Sequence, residues 1–217
     1  MVRDRTLGAI AFDVVNHMAL LLASLVCLVP MIHLVAVSLS ATAPAMANMV
    51  TIWPLGFNLN NYHWVLRTPQ FRASFMVSVM RTIVGTLIVV STTVLAAYPL
   101  SIRQGFRGKE LFKWLLIISM LFSGGLIPWY LTIRALHLLN TLWALVLPGM
   151  VWTWGVIVAL NFFRGLPVEL AESAEIDGAS HWHILFNVYL PLSLPMLATL
   201  SLFAAVGHWN AWFDGMI

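Results

Sequence analysis

The sequence predicts an all-α chain, a polytopic bundle of membrane-crossing helices, on three observations. Hydrophobic residues make up 61% of the 217 residues and charged residues 9%, with a mean hydropathy of +0.91. That balance leaves too little polar surface to face water on all sides. Crossing a hydrocarbon core about 30 Å thick takes about 20 helical residues, and charge-free stretches of that order occur five times: after Asp13, after Arg81, between Lys113 and Arg134, between Arg134 and Arg164, and between Asp177 and Asp214. Basic residues cluster in the segments between these stretches, as loops on one side of a membrane do. Residues 1–217 therefore read as a single transmembrane domain with five spans.

Span 1 covers about 14–38. Its apolar run is too long for a cleavable signal and lacks a small-residue cleavage site, so it is expected to stay in the membrane. Cys27, the only cysteine, lies inside it without an intrachain partner and reads as a small buried hydrophobe. The chain remains uncharged to Leu66, but Pro44, Pro54, Gly56 and Asn58-Leu59-Asn60-Asn61 favour turns. Residues 39–71 are thus expected to form a long ordered outer loop. Span 2, about 72–100, carries Arg81 about nine residues, roughly 13 Å, from its outer end. A cation at that depth faces protein or water, or snorkels to the interface, and pairing or snorkelling is favoured over substrate contact.

Span 3, about 113–133, is interrupted by Gly124-Gly125 and Pro128; span 4, about 141–163, by Pro148-Gly149. Broken helices free backbone polar groups, which is tolerated where they pack tightly or line a cavity. Packing is the first reading at each site, and a moving, pore-lining region the second. Residues 164–191 form a polar, acidic loop. Pro167, Glu169 and Glu172 suit a helix N-terminus and Gly178 a left-handed helix end, which predicts a short helix over about 168–177. Leu166, Leu170 and Ala174, spaced by four, share one face of it. Pro191 and Pro195 then open span 5, about 192–213, through a fixed, kinked connection.

Arg3, Arg5, Arg103, Arg107, Lys109, Lys113 and Arg164 fall on one side of this arrangement, and Arg67, Arg72 and Arg134 on the other. The positive-inside rule puts the N-terminus and the 164–191 loop in the cytoplasm. The sequence pI of about 9.4 follows from that topology, and no nucleic acid is expected as a partner.

Within the acidic loop, Glu172-Ser173-Ala174, Gly178 and Val188-Tyr189-Leu190-Pro191 resemble, in gapless spacing, the EAA loop of bacterial ATP-binding-cassette importer permeases. Ser173 and Val188 replace the commoner Ala and Ile. The likeness extends to Trp53-Pro54-Leu55-Gly56-Phe57, Asn61-Tyr62, Val65-Leu66, Arg81-Thr82, Ala97 to Ser101, Ser123 to Pro128 and Gly207 to Phe213. It is closest to the carbohydrate, maltose-permease-like branch that includes the second permease subunit of an alginate importer. The resemblance implies a type I importer permease fold in a bacterial inner membrane, with Leu170, Glu172, Ser173, Ala174, Asp177 and Gly178 docking on an ATPase subunit in helix-in-groove fashion. It implies a second permease subunit, hence a heterodimer, two ATPase subunits, an extracytoplasmic solute-binding protein, and an oligosaccharide cargo such as a uronic-acid oligomer. Members typically continue into a sixth helix, so this chain is expected to stop before one, leaving its C-terminus outside.

The chain has no Gly-rich Lys phosphate loop, so it is expected to be a non-catalytic subunit binding no cofactor, with ATP and Mg on the ATPase partners. Candidate pathway residues are Arg81, Trp152, Trp154, His208, Trp209, Asn210 and Trp212. Aromatic faces stack on sugar rings and Asn bonds hydroxyls, although packing or lipid contact accounts for aromatics equally well. Trp114, Trp129 and Trp143 fit an interfacial belt. His181 and His183 lack a ligand set for a metal. Amino acids, peptides or ions are the alternative cargo. A secondary carrier is the alternative class, opposed by the scarcity of intramembrane carboxylates.

Overall fold

The computed structural model describes residues 6–102 and 107–216. Arg3, Arg5 and Arg103, which entered the charge-based orientation, lie outside the described residues, as does Ile217. All regular structure among the described residues is helical. The chain divides into two compact units, residues 1–73 and 74–217.

The first unit is a long helix and a loop folded onto its end. Helix α1 (Leu7–Ser38) starts well before residue 14, because the Thr6 hydroxyl accepts from the Ala9 N–H and caps it. Asp13 limits where a bilayer can begin, not where a helix can. Only 6% of the apolar window in α1 is buried, so its surface is apolar all round, the pattern of a helix solvated by lipid. Cys27 is exposed on that surface, which corrects the expectation of a buried residue.

The expected loop contains two short helices, α2 (Thr42–Met46) and α3 (Asn60–Arg67). Asn48 (φ 53°) and Gly56 (φ 67°) make its left-handed turns. It is tied to α1 by polar contacts. The buried Ser40 hydroxyl donates to the Ala36 carbonyl (2.6 Å) and accepts from the Leu55 N–H (3.0 Å). The Asn61 amide donates to the Ser38 carbonyl (3.1 Å), and the Tyr62 and Ser38 hydroxyls share a 2.7 Å bond.

Helix α4 (Pro69–Ser101) begins in the first unit and runs through the second, with Pro69 at its start, where a missing N–H costs nothing. The second unit continues with α5 (Lys109–Leu121), α6 (Leu126–Ala135), α7 (Leu142–Val146) and its 3₁₀ continuation Leu147–Gly149, and α8 (Thr153–Arg164). After these come α9 (Val168–Ile176), α10 (His181–Ile184), a π-helical turn Leu185–Tyr189, α11 (Leu190–Leu192), α12 (Leu194–Asn210) and a 3₁₀ turn Phe213–Met216.

Two helices, α1 and α4, are long and apolar enough to cross a membrane unaided, and five spans result if each of three bent pairs counts as one. Expected spans 3 and 4 correspond to the first two bent pairs, while expected span 5 corresponds to α12, the second half of the third, whose first half lies in the 164–191 loop. α5 and α6 meet at 117° across Phe122–Gly125, α7 and α8 at 49°, and the 181–192 helices meet α12 at 82° beside Ser193. At 13 residues α5 is about 20 Å long, too short to cross alone. Gly125, at φ 82°, makes the sharpest of these turns.

The core of the unit is built by Val94, Ala97, Tyr98 and Leu100 of α4, Val156, Ala159, Leu160 and Phe163 of α8, Met196 and Leu200 of α12, and Leu185 from the π turn. The approach of α4 to α12 is closest at Gly85. A Cβ added there would lie 2.5 Å from Nε2 of His208, so glycine is what lets the imidazole pack against the α4 backbone.

Candidate functional site

Two groups of residues in the second unit carry chemistry beyond packing. The first is the loop from Arg164 to Pro191. Pro167 is extended (φ −56°, ψ 123°) and serves as the N-cap of α9, one residue before the first turn, with Glu169 in that turn. The helix ends in a double reverse bond: the Gly178 N–H donates to the Glu175 carbonyl (3.0 Å) and the Ala179 N–H to the Ala174 carbonyl (2.9 Å). That is the Schellman arrangement, and it requires the left-handed φ of +81° that Gly178 adopts.

Ser180 then caps α10, accepting from the His183 N–H. His183 bonds Asn187 through Nδ1 (3.1 Å), and no group of three or more metal-ligating side chains exists among the described residues.

The loop has an inward and an outward side. Inward, Ile184 and Leu185 are each 1% exposed, and the Tyr189 ring is set edge-on against Tyr98 of α4 (5.2 Å) and Phe163 of α8 (5.5 Å). Burial first, and the Glu175 carboxylate second, raise the Tyr189 hydroxyl above the ordinary phenol range, so it carries no charge near neutral pH.

Outward, Leu170, Glu172, Ser173, Asp177 and Gly178 are all exposed and Ala174 is half-buried, while Leu166 turns into the core. The proposed Leu166, Leu170, Ala174 face is therefore split between core and surface. Three exposed apolar residues escaped the sequence reading: Ile176 at 87%, Trp182 at 62% and Phe186 at 56% exposure. The Trp182 and Phe186 rings stack, 6.2 Å apart and inclined by 20°. Their spacing of four on helical backbone was the available signal.

The second group surrounds Arg81. It is buried, and its guanidinium donates Nη1 to the Ala211 carbonyl (2.8 Å) and Nη2 to the Asp214 carboxylate. Asp214, an acid at the edge of span 5 in the sequence, is thus the partner of the one basic residue deep in a span. It also lines a cleft of ≈ 740 Å³ with Ser123, Gly124, Gly125, Trp129 and Pro148. The two helix-breaking motifs therefore meet at one cavity.

The pathway candidates do not converge on a single site. Arg81, His208 and Trp209 lie along the α4–α12 contact, where Trp209 meets Phe75 edge-on (6.1 Å). Asn210 ends α12, and Trp212 lies beyond it, against Phe213 (5.8 Å), outside the helix although expected span 5 runs to about 213. Trp152 and Trp154 are at the N-cap and first turn of α8 rather than mid-helix. They pair at 5.2 Å, and Trp154 meets Phe203 of α12 at 6.0 Å. Gly155 makes room for this pair, since a Cβ there would fall 2.5 Å from the Trp152 ring.

Breaking a buried ion pair from one side typically costs about 3–5 kcal/mol. The Asp214 side chain is 34% exposed, and water screens its half of the pair. Asp214→Ala and Arg81→Met are therefore each expected to lower stability by about 1–3 kcal/mol. Thermal unfolding of the purified protein checks this through a double-mutant cycle. The double variant should lose clearly less than the sum of the singles, and strict additivity would show that the two charges do not interact.

Sequence and structure comparisons agree with one another. The profile of the family described as binding-protein-dependent transport system inner membrane component matches residues 11–213. The chain is 37% identical over 206 residues to the polygalacturonan/rhamnogalacturonan transport system permease protein YtcP of Bacillus subtilis (strain 168), covering 95% of this chain and 72% of that protein. It is 41% identical over 206 residues to protein LplC of the same organism, covering 95% and 70%. Its fold matches a chain in the crystal structure of a bacterial ABC transporter involved in the import of the acidic polysaccharide alginate. That match has a TM-score of 0.91 at 28% identity, over 97% of this chain and 75% of that one.

Proposed function

The chain belongs to the family of binding-protein-dependent transport system inner membrane components, and on that footing we propose that it carries acidic oligosaccharides, uronic-acid oligomers above all, across the membrane. It is a permease subunit of a carbohydrate importer, a class that works with a partner permease, an ATPase and a binding protein. In the proposed assembly this chain pairs with a different permease subunit and two ATPase subunits. ATP and Mg bind the ATPases, and this chain catalyses nothing. The N-terminus and the 164–191 loop face the cytoplasm.

The observation that carries the reading is the construction of the loop. Its outward face offers Leu170, Glu172, Ser173, Ala174, Asp177, Gly178, Ile176, Trp182 and Phe186 to a groove, while Leu185 and Tyr189 fix it to the inner ends of α4 and α8. ATP-driven closure of the ATPase dimer does work on a permease only if the docking element is rigidly joined to the spans. The acidic cargo draws on the relatives: polygalacturonan is a polyuronide, and alginate is an acidic polysaccharide. Arg81 adds little to that choice because Asp214 already balances its charge.

The decisive assay uses the complete importer in liposomes and compares stimulation of ATP hydrolysis by binding protein loaded with uronic-acid oligomers, neutral maltooligosaccharides or peptides. Uronic-acid oligomers should stimulate most. Stimulation by neutral sugars alone rejects the acidic cargo and keeps carbohydrate import, and a response confined to peptides rejects carbohydrate import for this complex.

Gly178→Val strains a left-handed residue, and Glu172→Lys reverses charge on the outward face. Each should depress transport and stimulated ATP hydrolysis together while the protein still inserts. Full coupled activity with both changes present would remove the loop from the transmission path.

Orientation is tested in a Cys27→Ala background by labelling intact cells with a membrane-impermeant thiol reagent. The Asn60→Cys variant should react and the Ser180→Cys variant should not. The reverse pattern inverts the topology.

A further inference from the structure

Transport accounts for the clefts and loop of the second unit and leaves unexplained an apolar surface on the first. Met46 is 81% exposed, Met49 65%, Ile52 56%, Trp53 79%, Phe57 65% and Trp64 72%. They lie in a segment that begins only eight residues past the end of α1 at Ser38, from 38 to 46. A water-facing loop would not present such a series.

We propose that residues 46–66 form a wedge seated in the headgroup and upper acyl region of the bilayer, with phospholipid as its occupant. Depth is the first argument. Twenty residues counted from Val14, the first after Asp13, end at His33, which therefore marks about the far boundary of the hydrocarbon. The His33 imidazole Nδ1 bonds the Thr51 carbonyl at 2.7 Å, so the loop descends beside α1 to that level. Ser38 is five residues farther on, about 7–8 Å above it. Met49, Ile52 and Trp53 flank Thr51 and so lie at the boundary rather than above the membrane.

Closure of the backbone is the second argument: the loop bonds part of it to itself and to the end of α1, leaving fewer polar groups for the headgroup region to meet. The Ala41 N–H donates to the Leu55 carbonyl (2.9 Å), the Met49 N–H to the Pro44 carbonyl (3.0 Å), and the Leu55 N–H to the Ser40 hydroxyl (3.0 Å). Val50 is 3% exposed, whereas Met49 and Ile52 on either side of it face outward.

Chemistry is the third. Trp53, Tyr62 and Trp64 are the amphipathic rings that favour the interface. His63, Arg67 and Arg72 are the basic side chains of residues 39–72, and no acidic residue occurs between Asp13 and Glu110. That charge pattern complements anionic lipid headgroups. The competing occupant is another protein subunit, which the test separates.

The test places an environment-sensitive fluorophore on a single cysteine, Trp53→Cys or independently Trp64→Cys, in a Cys27→Ala background. The complete importer is held in phosphatidylethanolamine/phosphatidylglycerol nanodiscs. Quenchers are phospholipid brominated near the headgroup end of its acyl chains and aqueous iodide, with the same fluorophore conjugated to free cysteine in buffer as the water-exposed control. The bromolipid should quench the probes at 53 and 64, and iodide should quench them less than the control. Quenching by iodide equal to the control, without bromolipid quenching, places the loop in water and overturns the proposal. Shielding from both quenchers assigns the surface to a subunit and overturns it equally.

Discussion

Tyr189 is held between Tyr98 and Phe163, one ring from the C-terminal end of α4 and one from the C-terminal end of α8, both edge-on. Each such aromatic contact is worth about 0.5–1.5 kcal/mol beyond area burial. Leu185, four residues earlier and fully buried, adds the about 1.5–3 kcal/mol of an enclosed aliphatic side chain. These energies exceed thermal energy several-fold, so the loop cannot slide independently of the two helices. In the proposed coupling, a displacement of α9 and α10 would therefore be delivered to α4 and α8. Leu185 and Tyr189 open and close the π-helical turn, four residues apart, and both face the bundle.

The bent helices are a second consequence of the same solvent. In hydrocarbon, an open backbone N–H or carbonyl costs several kcal/mol unless protein or a water-filled cavity meets it. The breaks at Phe122–Gly125 and Leu147–Gly149 both line the ≈ 740 Å³ cleft. Their exposed backbone is thus gathered around one space instead of scattered over the lipid surface. Of packing and cavity lining, weighed as rivals from sequence, the structure favours the second at these breaks: Gly124, Gly125 and Pro148 border the opening, and a Cβ at Gly125 or Gly149 would meet nothing within 4 Å.

What was legible in the sequence was local. The short helix before Gly178 follows from acidic residues at one end and a glycine at the other, and the structure differs by one residue at its C-terminal end. The breaks at Gly124-Gly125 and Pro148-Gly149 follow from residues that cannot continue a helix. Their angles do not, because 117° and 49° are set by what packs against each half. The partner of Arg81 was not legible either. Asp214 is 133 residues away, and no periodic pattern spans that distance. The exposure of Ile176, Trp182 and Phe186 was hidden for the opposite reason: apolar residues inside a polar loop read as anchors to the bundle, and only the geometry shows that Ile184 and Leu185 take that role.

The Arg81–Asp214 pair is better understood as a register device than as a source of stability. A buried ion pair recovers little more than the desolvation of its members, so its net contribution is small, but it tolerates almost no misalignment. It joins the first half of α4 to the segment just past the C-terminal end of α12. Tyr98, Leu100, Met196 and Leu200 join them through the core toward the other end. Between the two lies the Gly85–His208 contact, too close to accept even a methyl group without movement. Helices α4 and α12 are thus fixed at three levels and behave as one body. The deformable side of the unit is the one containing the sharp α5–α6 and α7–α8 bends, where the cleft opens. In the proposed coupling, motion entering through Tyr189 at the C-terminal ends of α4 and α8 meets a stiff pair on one side and a jointed pair on the other, and it is the jointed pair whose displacement would change the shape of the cavity.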